Sequence, residues 1–167
     1  MITAYIGLGA NLDDPRAQLV QAIDELATLP NSQLLATSSF YRSSPMVLPG
    51  QSPETQPDYI NAVASLETSL TPHALLDELQ IIEQAHGRQR NGRRWGPRTL
   101  DLDILLYGNQ QLNDKRLQVP HAGMAVRNFV LYPLQELVSE QLALPGMGRL
   151  ADLLERCSLD GLEKITL

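Results

Sequence analysis

The chain is 167 residues long, 43% hydrophobic and 19% charged, with a formal net charge of −6 and one cysteine, Cys157. That length is enough for one sizeable core and reads as a single domain over 1–167. The acidic total argues against general nucleic-acid binding, the lone cysteine rules out an internal disulfide framework and suits a reducing cytoplasm, and no apolar run approaches the roughly 20 residues of a membrane span.

In chain order, residues 2–8 (ITAYIGL) read as a strand, and GLGANLDDP as a turn that Gly7 and Gly9 permit. Asp13 or Asp14 caps a helix that opens at Pro15 and carries Leu19, Ile23 and Leu26 at helical spacing to about Leu29. A dinucleotide fingerprint would need a third glycine where Leu12 stands. Residues 33–43 read as a second strand. The stretch 44–58 (SPMVLPGQSPETQPD) holds four prolines and reads as a long loop, a kind that often carries function. Residues 59–68 alternate, with Ile60, Ala62, Ala64 and Leu66 on one face and Tyr59, Asn61 and Val63 on the other. Thr71-Pro72 opens a second helix over 72–86, with Leu75, Leu79, Ile82 and Ala85 inward and Gly87 as its stop. A basic loop at 88–98 runs into a strand at 98–107, followed by a turn at Gly108-Asn109 and a hairpin within 110–119. His121, Arg127 and Phe129 lie near a break between segments. A helix at 149–157 and a strand at 162–166 complete the chain. The order predicts an α+β, ferredoxin-like β-α-β-β-α-β core: a mainly antiparallel sheet, helices packed on it, and a C-terminal extension.

The strand RTLDLDILLY carries the chemistry. Alternation puts Leu100, Leu102, Ile104 and Leu106 on one face and Asp101, Asp103, Leu105 and Tyr107 on the other. Two carboxylates about 6.6 Å apart repel by about 2.5 kcal/mol at an effective dielectric near 20. An isolated Asp-x-Asp is most often an exposed strand end, and an isolated arginine-rich loop a solvated one. Here the two adjoin: Arg88, Arg90, Arg93, Arg94 and Arg98 directly precede the pair, around Gly92, Gly96, Pro97 and the only tryptophan, Trp95. Arginines bind anions and carboxylates bind cations, so a polyphosphate carrying Mg²⁺ satisfies both.

RWGPRTLDLDILLYG (94–108) resembles the signature of the 6-hydroxymethyl-7,8-dihydropterin pyrophosphokinase family. YIGLGANL, SSFYRSSP, QPDYINAV and VPHAGMAVRNFVLYPL agree with it in order. The resemblance implies transfer of pyrophosphate from ATP to the hydroxymethyl group of the pterin in folate biosynthesis, with release of AMP and use of two Mg²⁺ ions. It implies Asp101 and Asp103 as metal ligands, and Arg88, Arg98, Asp101 and Asp103 as the catalytic set. Gln80, Glu83, Arg88, Arg90, Arg98, Ile104, His121 and Arg127 would face ATP. Ser43, Ser44, Pro45, Met46, Tyr59, Asn61, Trp95 and Phe129 would form the pterin pocket. It further implies a cytoplasmic monomer acting on small molecules, with neither nucleic acid nor membrane as partner, and loops 44–58 and 88–98 closing over the site.

The chain departs from the family pattern at Ala10, Ala122, Asn91 and the Ser44-Pro45 pair. Two other classes stay open at this point. A palm-type two-metal nucleotidyltransferase would release pyrophosphate rather than AMP. A non-catalytic anion- or RNA-binding module would carry stacking aromatics and a more basic charge.

Overall fold

The structure, a computed structural model, describes residues 1–12, 14–44, 58–87 and 99–165. Asp13, Pro45, Met46, Arg88, Arg90, Arg93, Arg94, Trp95 and Arg98 lie outside them, as do most of the two loops expected to close over the site.

Strand β1 spans Ile2–Ala10 and is followed by helix α1, Pro15–Leu26. Then come β2 (Ser32–Thr37), β3 (Phe40–Ser43), β4 (Tyr59–Thr68), α2 (Pro72–Ala85) and β5 (Asp101–Tyr107). A small hairpin, β6 (Leu112–Asn113) and β7 (Gln118–Val119), leads to a 3-10 turn at Met124–Val126 and to α3, Asn128–Gln135. A second hairpin, β8 (Ala143–Leu144) and β9 (Gly148–Arg149), precedes α4 (Leu150–Glu155) and β10 (Leu162–Ile165).

Both long helices begin as their sequences dictate. Asp14 and Thr71 each accept a hydrogen bond from a first-turn amide, and a proline follows each cap. Gly87 sits at φ +81, where a helix-ending glycine is favoured. His86 joins the helices. Its Nδ1 meets Gln18 Oε1, and its Nε2 lies 2.5 Å from Glu25 Oε1.

The main sheet runs β10-β3-β4-β1-β5, with β2 also paired to β4, and every pairing is antiparallel. This is the ferredoxin-like order anticipated from the sequence. One face packs on α1 and α2 through Leu19, Ala22, Leu26, Leu75, Leu79 and Ile82. Each such leucine, fully buried, contributes about 2 kcal/mol relative to exposure. Across the other face, Val63, Leu105 and Leu106 pack against Val130, Leu131 and Leu134 of α3 and Leu150 and Leu153 of α4. The sheet is therefore sandwiched between two helical layers.

Three local expectations change. The glycines form no turn: β1 continues to Ala10, with Gly7 and Gly9 inside the strand. The second strand divides in two at Ser38, whose amide donates to Val63 O (2.8 Å) and whose hydroxyl accepts from Val63 N (2.9 Å). Alternation along β5 also breaks. Tyr5 pairs with Leu106 and Ile6 with Ile104, so Leu105 is an extra residue in a β-bulge. Beyond it Leu106 joins Leu105 in the α3 layer and Tyr107 turns to the α1/α2 layer, the reverse of the expected faces.

Candidate active site

The sheet register sets the site. Residues directly opposite in an antiparallel ladder share a face. Tyr41 is opposite Asn61, Asn61 opposite Gly9, and Gly9 opposite Asp101. One residue-pair further along, Val63, Gly7 and Asp103 make a second row on that face. Asn61 and Asp101 stand two strands apart, about 10 Å at normal strand spacing. Between them β1 offers only glycine. A Cβ on Gly9 would come within 3.2 Å of Asn61 Oδ1, and one on Gly7 within 3.2 Å of a Leu105 methyl. Leu105 therefore lies over Gly7, while Gly9 keeps bare backbone between the Asn61 amide at one side and, by register, the Asp101 carboxylate at the other, a shelf one glycine wide.

Asn61 is held in place. It is 5% exposed, and its Nδ2 donates to Ser43 Oγ at 2.7 Å. The Asp103 side chain is 52% exposed and faces His121, whose Nε2 lies 3.9 Å from Asp103 Oδ2. Two contacts fix the histidine. Its backbone N–H donates to Leu105 O (3.0 Å), and its Nδ1 accepts from Gly123 N at 3.3 Å. That bond leaves Nε2 as the nitrogen turned to the carboxylate. Arg127 lies over the Phe129 ring, 5.8 Å from its centroid, within cation–π range. Asp101, Asp103, Asn61 and Ser43 are thus brought to one face of the sheet, with His121 beside Asp103.

Three residues expected to face the nucleotide have the following surroundings. Ile104 is 2% exposed with its side chain in the α1/α2 core, so only its backbone is left to meet a ligand. Glu83, on α2, is 3% exposed, and its Oε2 accepts from Leu102 N at 2.8 Å. Gln80 Oε1 lies 3.4 Å from Arg116 Nη2, which also reaches Asp77 Oδ1 at 2.6 Å. Sequence reasoning passed over Arg116, an ordinary-looking charge in a hairpin. It also passed over Gly7 and Gly9 as a floor, although their i, i+2 spacing is the cue that both leave the same strand face bare.

Fold and site together define a ferredoxin-like α+β domain built around a carboxylate-bearing edge strand. A family model for 7,8-dihydro-6-hydroxymethylpterin-pyrophosphokinase matches residues 5–139. The 2-amino-4-hydroxy-6-hydroxymethyldihydropteridine pyrophosphokinase of Haemophilus influenzae is 51% identical over 156 residues, 93% of this chain and 93% of its own length. The Pseudomonas aeruginosa protein of the same name is 48% identical over 161 residues, 96% of this chain and 95% of that one. The chain belongs to the 7,8-dihydro-6-hydroxymethylpterin pyrophosphokinase family. Among solved structures, wild-type HPPK-DHPS of Plasmodium falciparum with SDX-DHP superposes with a TM-score of 0.70 at 12% identity, a likeness of fold alone. All of this chain matches there, but it spans only 48% of that longer protein.

Proposed function

We infer that this chain transfers the terminal pyrophosphoryl group of ATP to the hydroxymethyl oxygen of 6-hydroxymethyl-7,8-dihydropterin, a step of folate biosynthesis. The hydroxyl oxygen bonds to the β-phosphorus, the bond from that phosphorus to the oxygen bridging it to the α-phosphorus breaks, AMP leaves, and the hydroxyl proton passes to solvent. The observation that carries this reading is the glycine-floored shelf. A flat heterocycle lying across Gly9 would present its amide-like edge to Asn61 and its hydroxymethyl arm toward Asp101 and Asp103.

The carboxylate pair fits Mg²⁺ by donor chemistry: two hard oxygen ligands on one strand face, with the Asp103 side chain half exposed. When bound, two such ions would neutralise phosphate charge and make the pterin hydroxyl more acidic. The chain's own part is positioning and electrostatics. Ser43 fixes the Asn61 amide. His121 lies beside Asp103, where phosphates would gather, and Arg127 stands on Phe129. Arg88, Arg90 and Arg98 would hold the phosphates. Ser44, Pro45, Met46, Tyr59 and Trp95 would close the pterin pocket. The same reading has the protein working as a cytoplasmic monomer on these two small molecules. No helix among the described residues is long and apolar enough to cross a membrane.

Product analysis tests the reaction. With ATP, Mg²⁺ and the pterin alcohol, chromatography should give AMP and pterin pyrophosphate in equal amounts. ADP would make it an ordinary kinase, and free pyrophosphate a nucleotidyltransferase.

A further inference from the structure

Glu83 is a carboxylate in a place where carboxylates are costly. It lies on α2, on the core side of the sheet, 97% shielded from solvent. Burying that charge requires strong hydrogen bonds in return. One is visible: Oε2 accepts from the backbone N–H of Leu102 at 2.8 Å. Leu102 is the residue between Asp101 and Asp103. Among the described residues, β5 is the last paired strand of the sheet on that side, and its ladder partner is β1, while the segment that carries β7 and His121 lies along its outer edge near Leu105. At Leu102 no strand among the described residues pairs with that outer edge, and the Glu83 carboxylate accepts the amide in its place.

We propose that Glu83 is a positioning residue for the carboxylate pair: by holding the Leu102 amide it fixes the backbone from which Asp101 and Asp103 project, and so sets their geometry toward a divalent cation. Its role is then exerted from behind the strand rather than through contact with the nucleotide. The proposal rests on the reading of Asp101 and Asp103 as Mg²⁺ ligands. A charged acceptor makes a bond roughly twice as strong as a neutral one, which is reason for glutamate here over glutamine. Groups that orient ligand-bearing residues typically alter metal affinity by about 10-fold or more when removed.

The experiment compares Glu83→Leu, which keeps bulk but no acceptor, with Glu83→Gln, which keeps a neutral one. The first readout needs no metal: hydrogen exchange at the Leu102 amide in the free protein. It should quicken at least about tenfold in the Leu variant and less in the Gln variant. The second is the Mg²⁺ concentration needed to bind a non-hydrolysable ATP analogue, which should rise about 10-fold in the Leu variant and be largely restored by Gln. Unchanged exchange at Leu102 would overturn the proposal. In the Leu variant, faster exchange with an unchanged Mg²⁺ requirement would overturn it too, since the bond would then be purely structural. Should the Leu variant fail to fold, the Gln variant still decides: its weaker acceptor should raise Leu102 exchange and the Mg²⁺ requirement together by a few-fold, and a rise in one without the other, or in neither, contradicts the proposal. Asp101→Asn, measured in parallel, separates the underlying reading. If its Mg²⁺ requirement equals wild type, the ligand assignment is what has failed.

Discussion

Asp101 and Asp103 repel each other by about 2.5 kcal/mol at strand spacing, a cost that cation binding would offset. Replacing either with alanine should therefore lower turnover by about a thousandfold, the scale expected when charge stabilisation of the transition state is lost. The melting temperature should hold or rise slightly. Steady-state kinetics in saturating Mg²⁺ beside a thermal melt checks both, and near wild-type turnover would remove the aspartates from the site. Gly9 makes a second test. Its substitution by valine puts a side chain where a single Cβ already meets Asn61 Oδ1 at 3.2 Å. KM for the pterin should rise at least about tenfold while Mg²⁺-nucleotide binding is kept, since valine suits a strand backbone. An unchanged pterin KM would mean that the heterocycle does not cross β1. The aspartates were legible because polar residues interrupt an apolar alternation. The glycines were misread because Gly-x-Gly after a short apolar run has the composition of a turn, and only the pairing partners on β4 and β5 show that the strand continues.

Helix α3 and its C-terminal cap, Glu136, grip the C-terminal segment and the start of β3 through side chains at i, i+4 and i+8. Asn128 Nδ2 donates to Ser158 O and Asp160 O, and Tyr132 Oη to Cys157 O. Glu136 accepts from Ser39 N and Tyr41 Oη, with Lys164 Nζ at 3.8 Å. Burial alone would raise the Glu136 carboxyl, but the bonds from Tyr41 and Ser39, with Lys164 behind them, outweigh it and hold the group below its usual value of 4.5. A depressed folded-state value means that stability from Glu136 is present above about pH 4.5 and is lost as pH falls below it. Tyr41 moves the other way. Burial first, then the hydrogen bond and charge of Glu136, push its phenol above the ordinary 10.0, so its contribution is present below pH 10 and is lost as pH rises past that value. Glu136→Gln should flatten the fall in melting temperature between pH 5 and pH 3, and an identical acid limb in the variant would show that other carboxylates set it. At this scale the sequence was readable for α1 and α2, whose caps and spacing are explicit. The bulge at Leu105 was not, because Ile104, Leu105 and Leu106 are all apolar and a shift of face leaves no mark in such a run. Nor was the break at Ser38, where a hydroxyl takes over a position in the ladder that only β4 reveals.

For the molecule as a whole, strand and helix order sufficed to predict the sheet order, because antiparallel β-α-β-β-α-β chains have few ways to bury two amphipathic helices on one face. The second helical layer was the less readable part: residues 119–137 showed a break and some aromatic and basic residues, but not that α3 and α4 would cover the opposite face. The shelf draws on four strands, β3, β4, β1 and β5, with residue 9 facing residue 101. Time adds a further consequence. Contacts so distant in sequence require a large loop to close first, and such closure slows folding. Early in refolding, α1, α2 and the β3–β4 pairing can form from nearby residues while β5 is still undocked. In a stopped-flow experiment, far-UV ellipticity should therefore recover before binding of a Mg²⁺-nucleotide analogue, and the lag between them would measure the docking of β5 beside β1. Ligand binding that returned with the first ellipticity change would mean that the last-docking strand is not the one that bears the carboxylates. In the expected case, the chain carries helices well before it can hold a phosphate.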